Sequence, residues 1–199
     1  MRTIGLTGGV ATGKSTVAQM LREQGACVID ADDVAREVVA IGSPLLREIA
    51  DAFAPERVLT EQGALDRKAV RRLVSSSSEH RERLNALTHP AIRTRIQEGL
   101  DAQERLGVSC CVVEAALMVE TGSYREYDAV IVTTCPPALQ LERMVARDGC
   151  DLDAAKAWVR TQSSQDSKVA VADHVIRTDC TREELAAAVS ELWAELHNV

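Results

Sequence analysis

Five short apolar runs punctuate this chain, at residues 3–6, 26–29, 109–113, 129–133 and 174–176. Each run is nearly continuous rather than alternating, the pattern of a strand covered on both faces. The segments between them are longer and rich in charge. Apolar positions recur there at helical spacing, as at Val17, Met20 and Leu21. This alternation predicts an α/β fold built on a mostly parallel sheet. The last helix has a defined start: Thr181 and Glu184 form a capping box ahead of the apolar stripe Leu185, Val189, Leu192 and Leu196.

The spacing of the runs is uneven. Residues 32–107 lie between the second and third strands, far more than one crossover helix needs. This stretch is expected to be a helical insertion divided by Pro44, Pro55, Gly63 and Pro90, with Pro90 opening a new helix. The serines at 75–78 read as a loop ending in a helix N-cap. A second insertion, residues 138–171, is rich in Arg, Asp and Gln.

Composition narrows the function. The chain is 46% hydrophobic and 27% charged, with only 3% aromatic residues, so its core is expected to rest on Val, Leu, Ile and Ala. A net charge of −7 argues against a nucleic-acid partner, which would call for a basic face. Cys27, Cys110, Cys111 and Cys135 lie in or beside the apolar runs and read as reduced core residues. Cys150 and Cys180 complete a set with no metal-binding spacing. The N-terminus lacks a signal-peptide pattern, and no run reaches the ~18 apolar residues of a membrane span. A cytoplasmic protein is the expectation.

The chemistry concentrates at Gly8-Gly9-Val10-Ala11-Thr12-Gly13-Lys14-Ser15, which fits the phosphate-binding loop Gly-x-x-x-x-Gly-Lys-Ser. A strand precedes it and a helix follows, the context that gives the motif its meaning. Backbone N–H groups of such a loop, through Thr16, wrap a polyphosphate, while Lys14 reaches the β/γ-phosphates and the Ser15 hydroxyl sits on Mg²⁺. Lys14 is expected to face solvent, so that its removal spares the fold. Asp30, Asp32 and Asp33 close the second strand at the edge where open α/β sheets bind ligands. A carboxylate there can accept a proton from an attacking hydroxyl, or one of them can cap the next helix. Arg143 and Arg147 stand one helical turn apart and can clamp a transferring phosphate or simply line a solvated face with Glu142 and Asp148. Glu114 lies beyond the third strand as a candidate water-mediated Mg²⁺ partner, with Glu120 nearby. Asn85 and His89 share a face only if the helix continues through Thr88.

Taken in order, these residues resemble the dephospho-coenzyme A kinase family. The likeness runs from residues 4–16 through Ile29-Asp30-Ala31-Asp32 with Ala35-Arg36, Leu84-Asn85 and His89-Pro90-Ala91-Ile92. It continues through Gln140-Leu141-Glu142-Arg143 with Arg147-Asp148 to Gln162, Lys168, Ala172-Asp173 and Val175-Ile176. The resemblance implies a three-layer αβα phosphate-loop core with a five-stranded parallel sheet, formed by residues 1–31, 108–137 and 172–199. Residues 32–107 would bind the coenzyme A precursor and residues 138–171 would act as a lid. It further implies ATP with Mg²⁺, Asp32 as general base toward the ribose 3′-hydroxyl, Arg36, Asn85 and His89 on the substrate side, and Arg143 and Arg147 over the transferring phosphate. The chain departs from the family pattern at Ala116, where a proline is usual, and at Thr178, where an asparagine near the adenine is usual. Two other readings stay open from the residues alone: a related kinase with another small alcohol or nucleotide acceptor, and a nucleotide-binding regulator.

Overall fold

Residues 1–54 and 56–197 of the computed structural model are described here. Five strands form one sheet: β1 (Arg2–Gly8), β2 (Cys27–Asp30), β3 (Cys110–Glu114), β4 (Ala129–Thr134) and β5 (His174–Arg177). All neighbours are parallel and the order is β2-β3-β1-β4-β5. Every apolar run thus becomes a strand, because a strand covered on both faces needs apolar residues at consecutive positions.

Period-two alternation sorts the side chains between two helical layers. Ile4, Leu6, Val112, Ala129, Ile131 and Ile176 face one side. There α1 (Lys14–Glu23) contributes Val17, Ala18, Met20 and Leu21. On the same side α10 (Arg182–His197) contributes Leu185, Val189, Leu192, Trp193 and Leu196. Val130 and Val132 face the opposite side and meet Met118, Tyr124, Tyr127 and Ala172. The capping box of α10 is formed: the Thr181 N–H donates to Glu184 Oε2 (2.9 Å) and the Glu184 N–H donates to Thr181 Oγ1 (3.2 Å).

The chain divides into two compact units, residues 1–30 with 103–199 and residues 31–102. The second has its own core, in which Val39, Leu45, Ile49, Phe53, Val58 and Val70 are buried. It comprises α2 (Ala31–Glu37), α3 (Pro44–Ala52), α4 (Arg67–Ser76) and most of α5 (Ser78–Arg105). Pro44 opens α3 behind the N-cap Ser43, and Gly63 turns with a φ of 78°. Ser77 separates α4 from α5, its hydroxyl accepting from the His80 N–H (3.2 Å). The division expected at Pro55 lies outside the described residues. Pro90 corrects the expectation of a new helix: it sits inside α5. Leu84, Leu87 and Ala91 pack on the same Phe53 core from both sides of the proline, so tertiary contacts outweigh the lost N–H. The Ala86 carbonyl that loses its donor belongs to an exposed residue, where water can serve it.

The second insertion holds α7 (Pro137–Asp148), α8 (Leu152–Val159) and α9 (Gln165–Val169), within the same compact unit as the sheet. The short helix α6 (Met118–Thr121) and a 3₁₀ turn (Ser123–Glu126) follow β3. All six cysteines are free thiols. Cys110, Cys111 and Cys135 are buried, whereas Cys27 is half-buried because β2 is an edge strand. Among the described residues no helix is long and apolar enough to cross a membrane.

Thr181→Ala should lower the unfolding free energy by about 1 kcal/mol, the usual cost of a lost N-cap, and Thr181→Ser should keep most of it. Urea denaturation measures both. A midpoint unmoved by the alanine would show that the box contributes nothing.

Candidate active site

The phosphate loop joins the end of β1 to the start of α1, at the carboxyl edge of the sheet. Its backbone is shaped by close approach. A Cβ on Gly8 would fall 2.1 Å from Thr133 Oγ1 and 2.6 Å from Thr12 Oγ1, so only glycine fits between β4 and the loop. Gly13 caps α1 with a φ of 87°, and a Cβ there would press on Thr178. Having no side chain, Gly13 leaves the first N–H groups of α1 without a side-chain cap, the arrangement that favours an anion. Ala11 also has a positive φ, 59°, although it is not glycine.

Buried hydroxyls pin the loop from behind. Thr12 Oγ1 donates to the Gly9 carbonyl and pairs with Thr133 Oγ1, both at 2.8 Å. Thr178 Oγ1 donates to the Thr12 carbonyl at 2.8 Å. Thr178, the position where the family pattern has asparagine, is therefore engaged with the loop itself. Arg143 of α7 donates to Thr178 Oγ1 (2.9 Å) and to the Thr178 carbonyl (2.6 Å). Three glutamines complete the frame. The Val10 N–H donates to Gln162 Oε1 and Gln140 Nε2 donates to the Val10 carbonyl, both at 2.8 Å. Gln165 Nε2 donates to Gln140 Oε1 (3.1 Å) and to the Cys135 carbonyl (3.0 Å), while its Oε1 accepts from the Cys135 N–H (3.1 Å).

Glu114 is the charged centre of the site. Its side chain is 1% exposed and closes β3, registered with Leu6 of β1 and Asp30 of β2. Lys14 Nζ donates to Glu114 Oε1 at 2.6 Å and the Ser15 hydroxyl donates to the same oxygen at 3.1 Å. Arg22 Nη2 stands 3.8 Å from the other oxygen. Lys14 is itself only 12% exposed, which corrects the expectation of a solvent-facing lysine. A buried carboxylate needs a partner, and Lys14 is the nearest cation, with Arg22 farther off. Beside the loop a second buried cation, Lys168, lies fully inside and donates to both Glu120 oxygens at 2.8 Å and to the Ala116 carbonyl at 3.1 Å. Burial works to raise the Glu120 carboxyl, but the Lys168 ammonium and the Ser163 N–H hold it below the usual carboxylate range.

The other expected residues fall elsewhere. Arg147 is not joined to Arg143: it makes a two-pronged pair with Asp148, both bonds 2.8 Å, and its side chain is exposed. Asp32, Asp33 and Arg36 lie on α2 in the residue 31–102 unit, where Arg36 pairs with Asp33. Asn85 and His89 stand one turn apart on α5, since the helix runs through Thr88 and Pro90. Burial, then the nearby Arg93 charge, pulls His89 below its ordinary pKa, so it is neutral at pH 7. No sequence motif assigns a role to the Gln140–Gln165 frame. Its one signal is a glutamine on the buried stripe of α7, four residues before buried Met144.

The model of the dephospho-CoA kinase family matches residues 2–184. The chain belongs to that family. Its relatives include the dephospho-CoA kinase of Moorella thermoacetica, 45% identical over 98% of this chain and 92% of the relative. Among solved structures, a Thermus thermophilus protein superposes with a TM-score of 0.86 at 32% identity, covering 98% of this chain and 97% of that one. The dephospho-CoA kinase of Campylobacter jejuni superposes with a TM-score of 0.75 at 28% identity, covering 100% and 98%.

Lys14→Ala should abolish useful ATP turnover and, because it strands a buried carboxylate, also cost about 2 kcal/mol of stability. That is less than the full penalty of breaking a buried pair, since Ser15 and Arg22 remain beside Glu114. Adding Glu114→Gln should return the stability without the activity. Urea unfolding alongside a turnover assay separates the two effects. A Lys14→Ala protein with wild-type turnover would remove the loop from catalysis.

Proposed function

We infer that this protein transfers the γ-phosphoryl group of ATP to the 3′-hydroxyl of dephospho-coenzyme A, releasing ADP and coenzyme A. The observation that carries this reading is the phosphate loop, with Lys14 and Ser15 gathered on Glu114, in a chain matching the family over nearly its whole length. Loop N–H groups other than those of Val10, Thr12 and Thr16, which are held by Gln162, Gly9 and Gly13, bind the phosphates. Lys14 leaves Glu114 for the β/γ-phosphates, where it neutralises charge that develops on transfer.

The donor chemistry beside the loop suits Mg²⁺. The Ser15 hydroxyl and the Glu114 carboxylate are hard oxygen ligands. Bound there, Mg²⁺ would be held by the Ser15 hydroxyl and the Glu114 carboxylate and would supply positive charge to offset that of the phosphates.

Asp32 is the proposed general base. Its carboxylate takes the proton of the attacking 3′-hydroxyl as that oxygen bonds to the γ-phosphorus and the bond to the β–γ bridging oxygen breaks. Arg36, Asn85 and neutral His89 are proposed to hold the acceptor. Residues 138–171 are proposed as the lid. Arg143 and Arg147 are proposed to trade their present partners, Thr178 and Asp148, for the transferring phosphate.

Incubation with ATP, Mg²⁺ and dephospho-coenzyme A should yield coenzyme A by mass, with ADP release that depends on the acceptor. Acceptor-independent hydrolysis alone would favour a regulator. Asp32→Asn should keep ATP binding and cut transfer by about 10²–10⁴-fold, the usual range for a positioned base. Asp32 lies exposed in the first turn of α2 and the amide is nearly isosteric, so stability should hold. If Asp32→Asn is fully active while Asp30→Asn or Asp33→Asn is dead, another carboxylate is the base.

A further inference from the structure

Both backbone polar groups of Val10 are held by glutamine side chains. Gln162, in the segment between α8 and α9, accepts from its N–H, and Gln140 of α7 donates to its carbonyl. The carboxamide orientations follow from the network: the Cys135 N–H must meet an oxygen, which fixes Gln165, which in turn fixes Gln140 with its Nε2 toward Val10. Gln140 is 3% exposed and cannot exchange these partners for bulk water at little cost.

The next residue, Ala11, has a φ of 59°, the left-handed region that a non-glycine residue disfavours by about tenfold. A trans peptide is planar, with its carbonyl and N–H pointing in opposite directions. Gln140, by gripping the Val10 carbonyl on one side, therefore turns the Ala11 N–H to the other side of the loop. Rotating that peptide would let Ala11 relax to a negative φ and would point the N–H away. We propose that Gln140 and Gln162 are positioning residues of the nucleotide site: Gln140 locks the Val10–Ala11 peptide in its strained orientation, Gln162 fixes the preceding Gly9–Val10 peptide, and together they hold the Ala11 N–H ready for a phosphate oxygen. Their effect is on ATP, and it is transmitted from the segment downstream of β4 rather than from the phosphate loop's own sequence.

The test uses the full-length protein. Gln140→Leu should weaken Mg²⁺–ADP binding in calorimetry by about tenfold, and Gln162→Met by about threefold to tenfold. In turnover the KM for ATP should rise by similar factors, with kcat within about twofold and the acceptor KM unchanged, the signature of lost uniform binding. The decisive arm is rescue. Glycine tolerates a positive φ, so Gln140→Leu with Ala11→Gly should bind ADP more tightly than Gln140→Leu alone. A Gln140→Leu protein that binds ADP like wild type, or an Ala11→Gly change that recovers nothing, overturns the proposal. If Gln140→Leu does not fold by circular dichroism, the half-buried Gln162 carries the test, and wild-type ADP affinity in Gln162→Met is then the overturning result. The kinetic arm rests on the kinase reading. The calorimetric arm needs no acceptor, so failure of the acceptor assignment and failure of the glutamine proposal are told apart.

Discussion

A carboxylate buried to 1% exposure at the end of a central strand constrains the site around it. Glu114 cannot stay charged there alone, because an unpaired buried charge costs several kcal/mol. Lys14 and Ser15 of the loop are thereby drawn to one oxygen. The same constraint places them at the carboxyl edge of the sheet, since Glu114 is registered with Leu6, two residues before the β1 strand ends at Gly8. Held by Glu114, Lys14 keeps a defined position rather than rotating freely in water, so much of its side-chain entropy is already lost in this state.

Around that charge pair the loop is held almost entirely by neutral hydrogen bonds. Thr12, Thr133 and Thr178 hold it from the side of β4 and β5, and Gln140 and Gln162 hold Val10. Neutral donors suit this task. They fix backbone geometry without adding a net charge that would compete with phosphate, and each is satisfied at both ends, so burial does not penalise it. The frame also makes sense of the positive φ at Ala11, a strain that persists only where the surroundings over-determine the backbone.

The insertion at residues 31–102 is stabilised separately, by a core of its own around Phe53. This is the only phenylalanine of the chain, 2% exposed and surrounded by aliphatic residues and the His80 ring. An insertion with an independent core can present side chains such as Asn85 and His89 without drawing on the packing of the sheet. Pro90 is tolerated within α5 for the same reason: contacts on both sides of it are made to one cluster.

The strands, the phosphate loop and the α10 capping box were legible from the sequence, because each rests on neighbouring residues: consecutive apolar positions, a fixed glycine spacing, a Thr-x-x-Glu pair. What could not be read there depends on residues far apart in the chain. Lys14 looked solvent-facing because its partner Glu114 lies 100 residues away and meets it only through the β1–β3 pairing. Arg143 and Arg147 share a helical face by spacing, yet one turns to Thr178, 35 residues on, and the other to its neighbour Asp148. Apart from the place of Gln140 on the buried stripe of α7, Gln140 and Gln162 carried no local signal of their role, since a glutamine's partners are chosen by whichever backbone groups the fold leaves within reach. Local chemistry thus determined which elements form and that a phosphate loop exists. Only the tertiary structure decided which side chains hold that loop in shape, because a buried charge or carboxamide is satisfied by proximity in space and not by distance along the chain.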